Sequence, residues 1–317
     1  MNDRRLRRLA PAVLALAVIA LLEPVGRAQE SAPAPADPCS APLQLLDGAP
    51  YVELELGGAK GWFLLDTGAN ASGVDKGWLE RSKASYEPGG KGRVRGTTGS
   101  VPVEKAVFER FTLGKGSFTR ATWVVHDYSG FRPPPGGPQA GLLGTDFLRT
   151  YQVTVDYVAG RAAFRREQER TPPARDAFAP LVVSWINGHP TVSVRLGGLD
   201  LPCRLDSGAS YLSPGPFLDV NRHVVTALRA AGARLEEVGA LTVRGISGPE
   251  RRPLLRGALT LELGPLRLTD VTLVVHEGGG ALAVDGPLSL ASASVLARAG
   301  TWTLDPFDHL LWVARPQ

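Results

Sequence analysis

Apolar and polar side chains alternate along Val52-Glu53-Leu54-Glu55-Leu56, and the same alternation returns in Val192-Ser193-Val194-Arg195-Leu196. A period of two turns one face of an extended chain toward a core and the other toward water, so both runs predict half-buried strands. Each run follows a two-residue hairpin signal, Asp47-Gly48 or Asn187-Gly188. Each is followed by a glycine pair, Gly57-Gly58 or Gly197-Gly198. Beyond these lie more apolar strands, Trp62-Phe63-Leu64-Leu65 and Cys203-Arg204-Leu205, that end at Asp66 and Asp206. Helical spacing is found in residues 219–237, where Val224, Val225, Leu228 and Ala231 share one face. Asp219 or Asn221 would cap that helix.

The parallels continue along the chain. Val94-Arg95-Gly96-Thr97-Thr98-Gly99 answers to Val243-Arg244-Gly245-Ile246-Ser247-Gly248, and Val124-Val125-His126-Asp127 to Val274-Val275-His276-Glu277. Val153-Thr154-Val155-Asp156 and Trp302-Thr303-Leu304-Asp305 close the two halves. Self-similarity on this scale indicates duplication of one domain rather than a short-period solenoid. The offset grows from 140 to 149 residues, which places an insertion in the second copy at residues 219–237. With 37 Gly and 26 Pro, the composition favours a turn-rich, all-β protein. The expected divisions are a signal over 1–28, an Ala/Pro-rich leader over 29–42, a first lobe over 43–170, a polar linker over 171–179 and a second lobe over 180–317.

Charge narrows the partners. The formal net charge is +4, but Arg4, Arg5, Arg7, Arg8 and Arg27 carry most of that excess, and the remainder is nearly balanced. Nucleic-acid binding therefore gains no support. The arginines precede an apolar run from Leu9 to Leu22 and a small-x-small site at Gly26-Arg27-Ala28, which together read as a cleaved export signal. That run is 14 residues long and contains Pro11, short for a bilayer span. A periplasmic or secreted location with no stable membrane span is expected. Export permits a disulfide between Cys39 and Cys203, although the two need not meet.

Asp66-Thr67-Gly68 and Asp206-Ser207-Gly208 occupy matching frames, with Leu65 or Leu205 before and Ala69 or Ala209 after. Two carboxylates brought face to face can share one proton, so that one acts as base and the other as acid toward a water attacking an amide. Glycine in the third place permits a tight turn and close approach. The Thr or Ser hydroxyl can bond neighbouring backbone and stiffen the loop. One such triplet reads as a surface turn; two in matching strand–turn frames favour catalysis. The histidines lack ligand spacing and two cysteines cannot build a structural zinc site, so neither metal nor organic cofactor is expected.

Those two hexapeptides, Leu65 to Asn70 and Leu205 to Ser210, resemble the aspartic proteases, and more closely the retropepsin-like branch with its bacterial relatives. Gly141-Leu142-Leu143-Gly144-Thr145-Asp146-Phe147-Leu148 looks like that family's hydrophobic-hydrophobic-Gly element. The resemblance implies two tandem closed β-barrel lobes in one chain, forming a pepsin-like bilobal pseudo-dimer. Asp66 and Asp206 would be catalytic, and Thr67, Gly68, Ser207 and Gly208 would support the active-site loops. Gly96, Thr97, Thr98, Gly99, Gly245, Ile246, Ser247 and Gly248 would form flaps over a peptide or protein substrate. The expected protein is a monomeric exported endopeptidase. Against it stands Ala283-Val284-Asp285-Gly286, aligned with Gly141 to Gly144, which sets a charge in place of an apolar residue. An inactive peptide-binding protein with a degenerate second lobe therefore stays open, as does a homodimer pairing Asp66 with Asp66.

Overall fold

A computed structural model describes residues 39–316 apart from 97, 132, 133, 135, 212–214 and 279. The expected signal, residues 29–38 of the leader, and Thr97 lie outside these described residues. The fold is mostly β, built on a 13-stranded and a 10-stranded sheet. Both hairpin signals form as read. Asp47 and Gly48 turn Cys39–Leu46 into Ala49–Leu56 with φ of 51° and 85°. Asn187 and Gly188 turn Ser184–Ile186 into His189–Leu196 with φ of 51° and 80°. Two consecutive residues at positive φ match the right-handed twist of a hairpin, which is why Asn-Gly and Asp-Gly are favoured there.

The closing runs meet each other. Gln152–Asp156 pairs antiparallel with Thr301–Asp305, Val155 opposite Trp302 and Thr154 opposite Thr303. The Thr154 and Thr303 hydroxyls are 2.8 Å apart. Outward on one side come Arg161–Arg165 and Cys39–Leu46; on the other come Leu310–Ala314 and Phe178–Val182. The order thus mirrors itself about the central pair, and strands of both halves share one sheet.

Two short helices follow strand ends. Lys76–Ser82 is capped by Asp75, which accepts from Trp78 N at 2.6 Å. Arg222–Ala230 is capped by Asn221, which accepts from Val224 N at 3.3 Å. Of the two capping residues offered by the sequence, Asn221 is the one used. Val224, Val225 and Leu228 are buried as the periodicity required, whereas Ala231 is the exposed C-cap. Cys39 and Cys203 are both buried and free.

The core of the first half is aromatic. Trp123 meets Phe63, Phe108 and Phe111 edge-on, with ring centroids 5.4, 6.0 and 5.5 Å apart. Trp123 is 2% exposed. Truncation there leaves a cavity ringed by stiff neighbours that collapse poorly, so Trp123→Ala should cost about 3–5 kcal/mol in chemical denaturation. A loss under about 1 kcal/mol would mean that this cluster is not packed as described.

Candidate active site

Each triplet is held by the same set of backbone bonds. Ala59–Leu65 runs parallel to Gln139–Leu143, and Leu199–Leu205 runs parallel to Ser289–Ala291. Asp66 N donates to Leu143 O at 2.9 Å, and Asp206 N donates to Ala291 O at 3.0 Å. Thr145 N donates to Ala69 O, and Ala293 N to Ala209 O, both at 2.8 Å. A helix follows at once in each case, Thr145–Leu148 and Ala293–Leu296.

This register corrects one sequence alignment. Ala283-Val284-Asp285-Gly286 does not take the place of Gly141 to Gly144. Asp285 is exposed in a loop, and buried Ser289-Leu290-Ala291 lies beneath the second triplet. Local composition misled because glycine at 141 answers a packing need rather than a loop need. A Cβ on Gly141 would overlap the Gly73 carbonyl oxygen and come within 2.7 Å of the Phe63 ring. In the second half Cys203 stands where Phe63 does, and Ser289 where Gly141 does. No charge lies in the supporting strand, and the alignment that suggested a decayed second half falls away.

The two loops grip each other. Thr67 N donates to Ser207 Oγ at 3.1 Å, and Ser207 N donates to Thr67 Oγ1 at 3.0 Å. Ser207 Oγ donates in turn to Leu65 O at 2.6 Å. Thr67 and Ser207 are 1% and 0% exposed, so water does not compete for these bonds. Within each loop the carboxylate is fixed by two backbone donors. Gly68 N and Ala69 N reach Asp66 Oδ1 at 2.8 and 3.1 Å, and Gly208 N and Ala209 N reach Asp206 Oδ1 at 3.1 and 2.8 Å. A Cβ on Gly68 would overlap the Asp206 carboxyl, and one on Gly208 would come within 2.5 Å of Asp66 Cγ. The glycines are what let the carboxyls approach.

The hairpins reach across as well. Thr145 Oγ1 donates to Gly188 O at 2.7 Å, while a Cβ on Gly48 would sit 3.0 Å from Ala293 O. The described flap candidates lie at two hairpin tips, closed by the pairs Gly96 with Gly99 and Gly245 with Gly248. The tips touch: Ser247 N and Ser247 Oγ donate to Thr98 Oγ1 at 3.1 and 2.8 Å, and Gly96 faces Ile246.

Burial pushes the Asp66 carboxyl up to about 6, against the pull of the Gly68 and Ala69 donors and a hydrogen bond with Asp206. Burial, then the Asp66 charge, then Asp219 push Asp206 well above the ordinary carboxylate range. The two titrate as a pair. Sequence reasoning passed over Asp219 except as a possible cap. It is buried, accepts from Tyr211 Oη at 2.5 Å, and lies 2.6 Å from His276 Nε2. Also missed was Asp146, whose carboxylate takes Ser72 N at 2.9 Å and Ser72 Oγ at 2.7 Å, while Gly144 N donates to Ser72 Oγ at 3.0 Å. No spacing signal in the sequence marks these contacts.

If one proton is shared, kcat/KM should rise as the first carboxyl ionises near pH 6 and fall as the second follows. An acid limb at the ordinary aspartate value of 3.8 in the pH–rate profile would contradict the burial of the pair. Stability carries the matching sign. Native carboxyls raised above 3.8 bind more protons than unfolded ones, so their contribution falls as pH rises through about 6.

Among the described residues no group of three or more His, Cys, Asp or Glu is placed to hold a metal ion. No helix among them is long and apolar enough to cross a membrane. No curated protein matches the chain. Residues 52–147 match the family model of an aspartyl protease, a span that takes in Asp66, the hairpin closed by Gly96 and Gly99, and the Gly141 to Gly144 element.

Proposed function

We propose that the chain is an exported aspartic endopeptidase in which Asp66 and Asp206 form one catalytic dyad. The observation that carries this reading is the reciprocal Thr67–Ser207 grip, which sets each carboxyl against the other triplet's glycine. The mirrored strand order supports two tandem closed lobes acting as an intramolecular pseudo-dimer, with divisions at 43–170 and 180–317. The N-terminal signal pattern supports a periplasmic or secreted enzyme, and two triplets meeting within one chain support a monomer.

In the proposed reaction the ionised carboxylate takes a proton from water as that water attacks the peptide carbonyl carbon. The protonated partner donates to the carbonyl oxygen as its charge grows, and the leaving nitrogen is then protonated as the C–N bond breaks. Gly68 N, Ala69 N, Gly208 N and Ala209 N hold the carboxylates in place through both steps, so little reorganisation is needed. Thr67 and Ser207 act only on loop position. The flap tips would close over an extended peptide and exclude water.

Purified residues 29–317 should cut a reduced, alkylated protein into fragments, and a pepstatin-type analogue of the tetrahedral intermediate should block the cleavage. Absence of cleavage between pH 4 and 7 would overturn the assignment.

A further inference from the structure

Arg204 breaks the apolar pattern of its strand. It lies two residues before Asp206, at the penultimate position of the strand Leu199–Leu205, and is near enough to Asp206 to feel its charge, while Leu205 is buried in the core. In the first half the same register position, opposite Leu142 rather than Leu290, is Leu64. Leu64 packs among Tyr51, Tyr128 and Leu142. Arg204 is 6% exposed, its Nη1 donates to Ala281 O at 2.8 Å, and its Nε has no hydrogen-bond partner.

A second cation comes from the first flap. Arg95, beside the tip glycine Gly96, donates from Nη2 to Gly280 O at 2.6 Å. The two guanidiniums therefore bond adjacent carbonyls of one loop. They repel each other, and Asp206 attracts Arg204. Neither makes a salt bridge among the described residues. The second flap offers no such pair: Arg244 Nη1 would lie 2.8 Å from a Cβ on Gly130, but the strand beside Asp66 carries Leu64 rather than an arginine. Holding a buried guanidinium on neutral acceptors is costly unless an anion completes its coordination. A carboxylate matches the guanidinium fork.

We propose that Arg204 and Arg95 form a carboxylate-binding subsite on the Asp206 side of the cleft, selecting substrates with an Asp or Glu side chain, or a chain-terminal carboxylate, near the scissile bond. This rests on the protease reading above and adds its specificity. Because the arginines line one side only, the preference falls on one side of the cleaved bond.

The test is a set of peptides in which Glu replaces Gln at single positions on either side of the cleaved bond, each made as C-terminal acid and amide. Glu at one position should raise kcat/KM about 10-fold or more over Gln, with the gain shrinking as salt rises. A gain confined to the C-terminal acids would assign the subsite to chain ends. Arg204→Leu, which installs the first-half residue, and Arg95→Gln on the exposed flap should each bring the Glu/Gln ratio toward one. Equal rates for Glu and Gln at every position, with acid and amide also equal, or an unchanged ratio in both variants, would overturn the proposal. Affinities of the same peptides for Asp66→Asn protein report the preference without turnover. Failure of all cleavage would therefore count against the protease reading, while the Glu/Gln affinity ratio still decides this one.

Discussion

Replacing either Asp66 or Asp206 by asparagine should lower kcat/KM by roughly 10⁴-fold or more, and replacing both should cost little beyond that. Asparagine preserves shape and loop donors but can neither take the proton from water nor share one with its partner. Groups that act as one unit show this non-additivity, because the first loss already disables the reaction. The exposed surface is untouched, so thermal unfolding should show an intact fold. At pH above about 6 either variant should be more stable than the parent, since one carboxylate no longer has to ionise where burial disfavours it. The competing assemblies predict differently. An enzyme pairing Asp66 with Asp66 of a second copy would lose activity in Asp66→Asn and keep it in Asp206→Asn. A peptide-binding protein would hydrolyse nothing in any form. Equal activity of parent and Asp206→Asn sinks the intramolecular dyad.

The parts of this arrangement that were legible in the sequence are those fixed by local chemistry. Asp47-Gly48 and Asn187-Gly188 had to turn because few other pairs adopt two positive φ values in succession. The triplets and closing runs could be matched because strand–turn frames repeat in short stretches. The cap was legible as one of two residues, Asp219 or Asn221, ahead of the helical face of Val224 and Leu228, and Asn221 is the one used.

What was hidden depends on contacts between distant segments. Ser289-Leu290-Ala291 carries no glycine signature, and the exchange of Phe63 and Gly141 for Cys203 and Ser289 preserves the strand while erasing its resemblance. Such paired volume changes keep a core filled, and a one-position comparison cannot see them. The mutual contact of the flap tips and the meeting of Arg95 with the loop of Arg204 arise from the whole topology. Arg204 alone left a trace, a charge in an apolar run.

Gly68→Ala should reduce kcat/KM by about 100-fold while leaving the fold intact, the scale expected when a reacting group shifts by about 1 Å. Gly68 is not at positive φ, so the backbone tolerates alanine there and space is the issue. The added methyl would overlap the Asp206 carboxyl, with all three of its terminal atoms in reach. That carboxyl cannot simply swing aside, because Gly208 N and Ala209 N hold Oδ1 at 3.1 and 2.8 Å. Moving it breaks those bonds; keeping it pushes apart the loops that Thr67 and Ser207 lock together. Either way the two carboxyls lose the geometry in which they share a proton. The pH–rate profile should register this, with the second, alkaline limb moving down as the Asp66 charge recedes from Asp206. Gly208→Ala should behave alike, since its Cβ would lie 2.5 Å from Asp66 Cγ. A melting temperature near that of the parent separates displacement from unfolding. Full activity in Gly68→Ala would mean that the Asp206 carboxyl does not rest against that glycine in the working enzyme, and the dyad would have to be rebuilt from another pair.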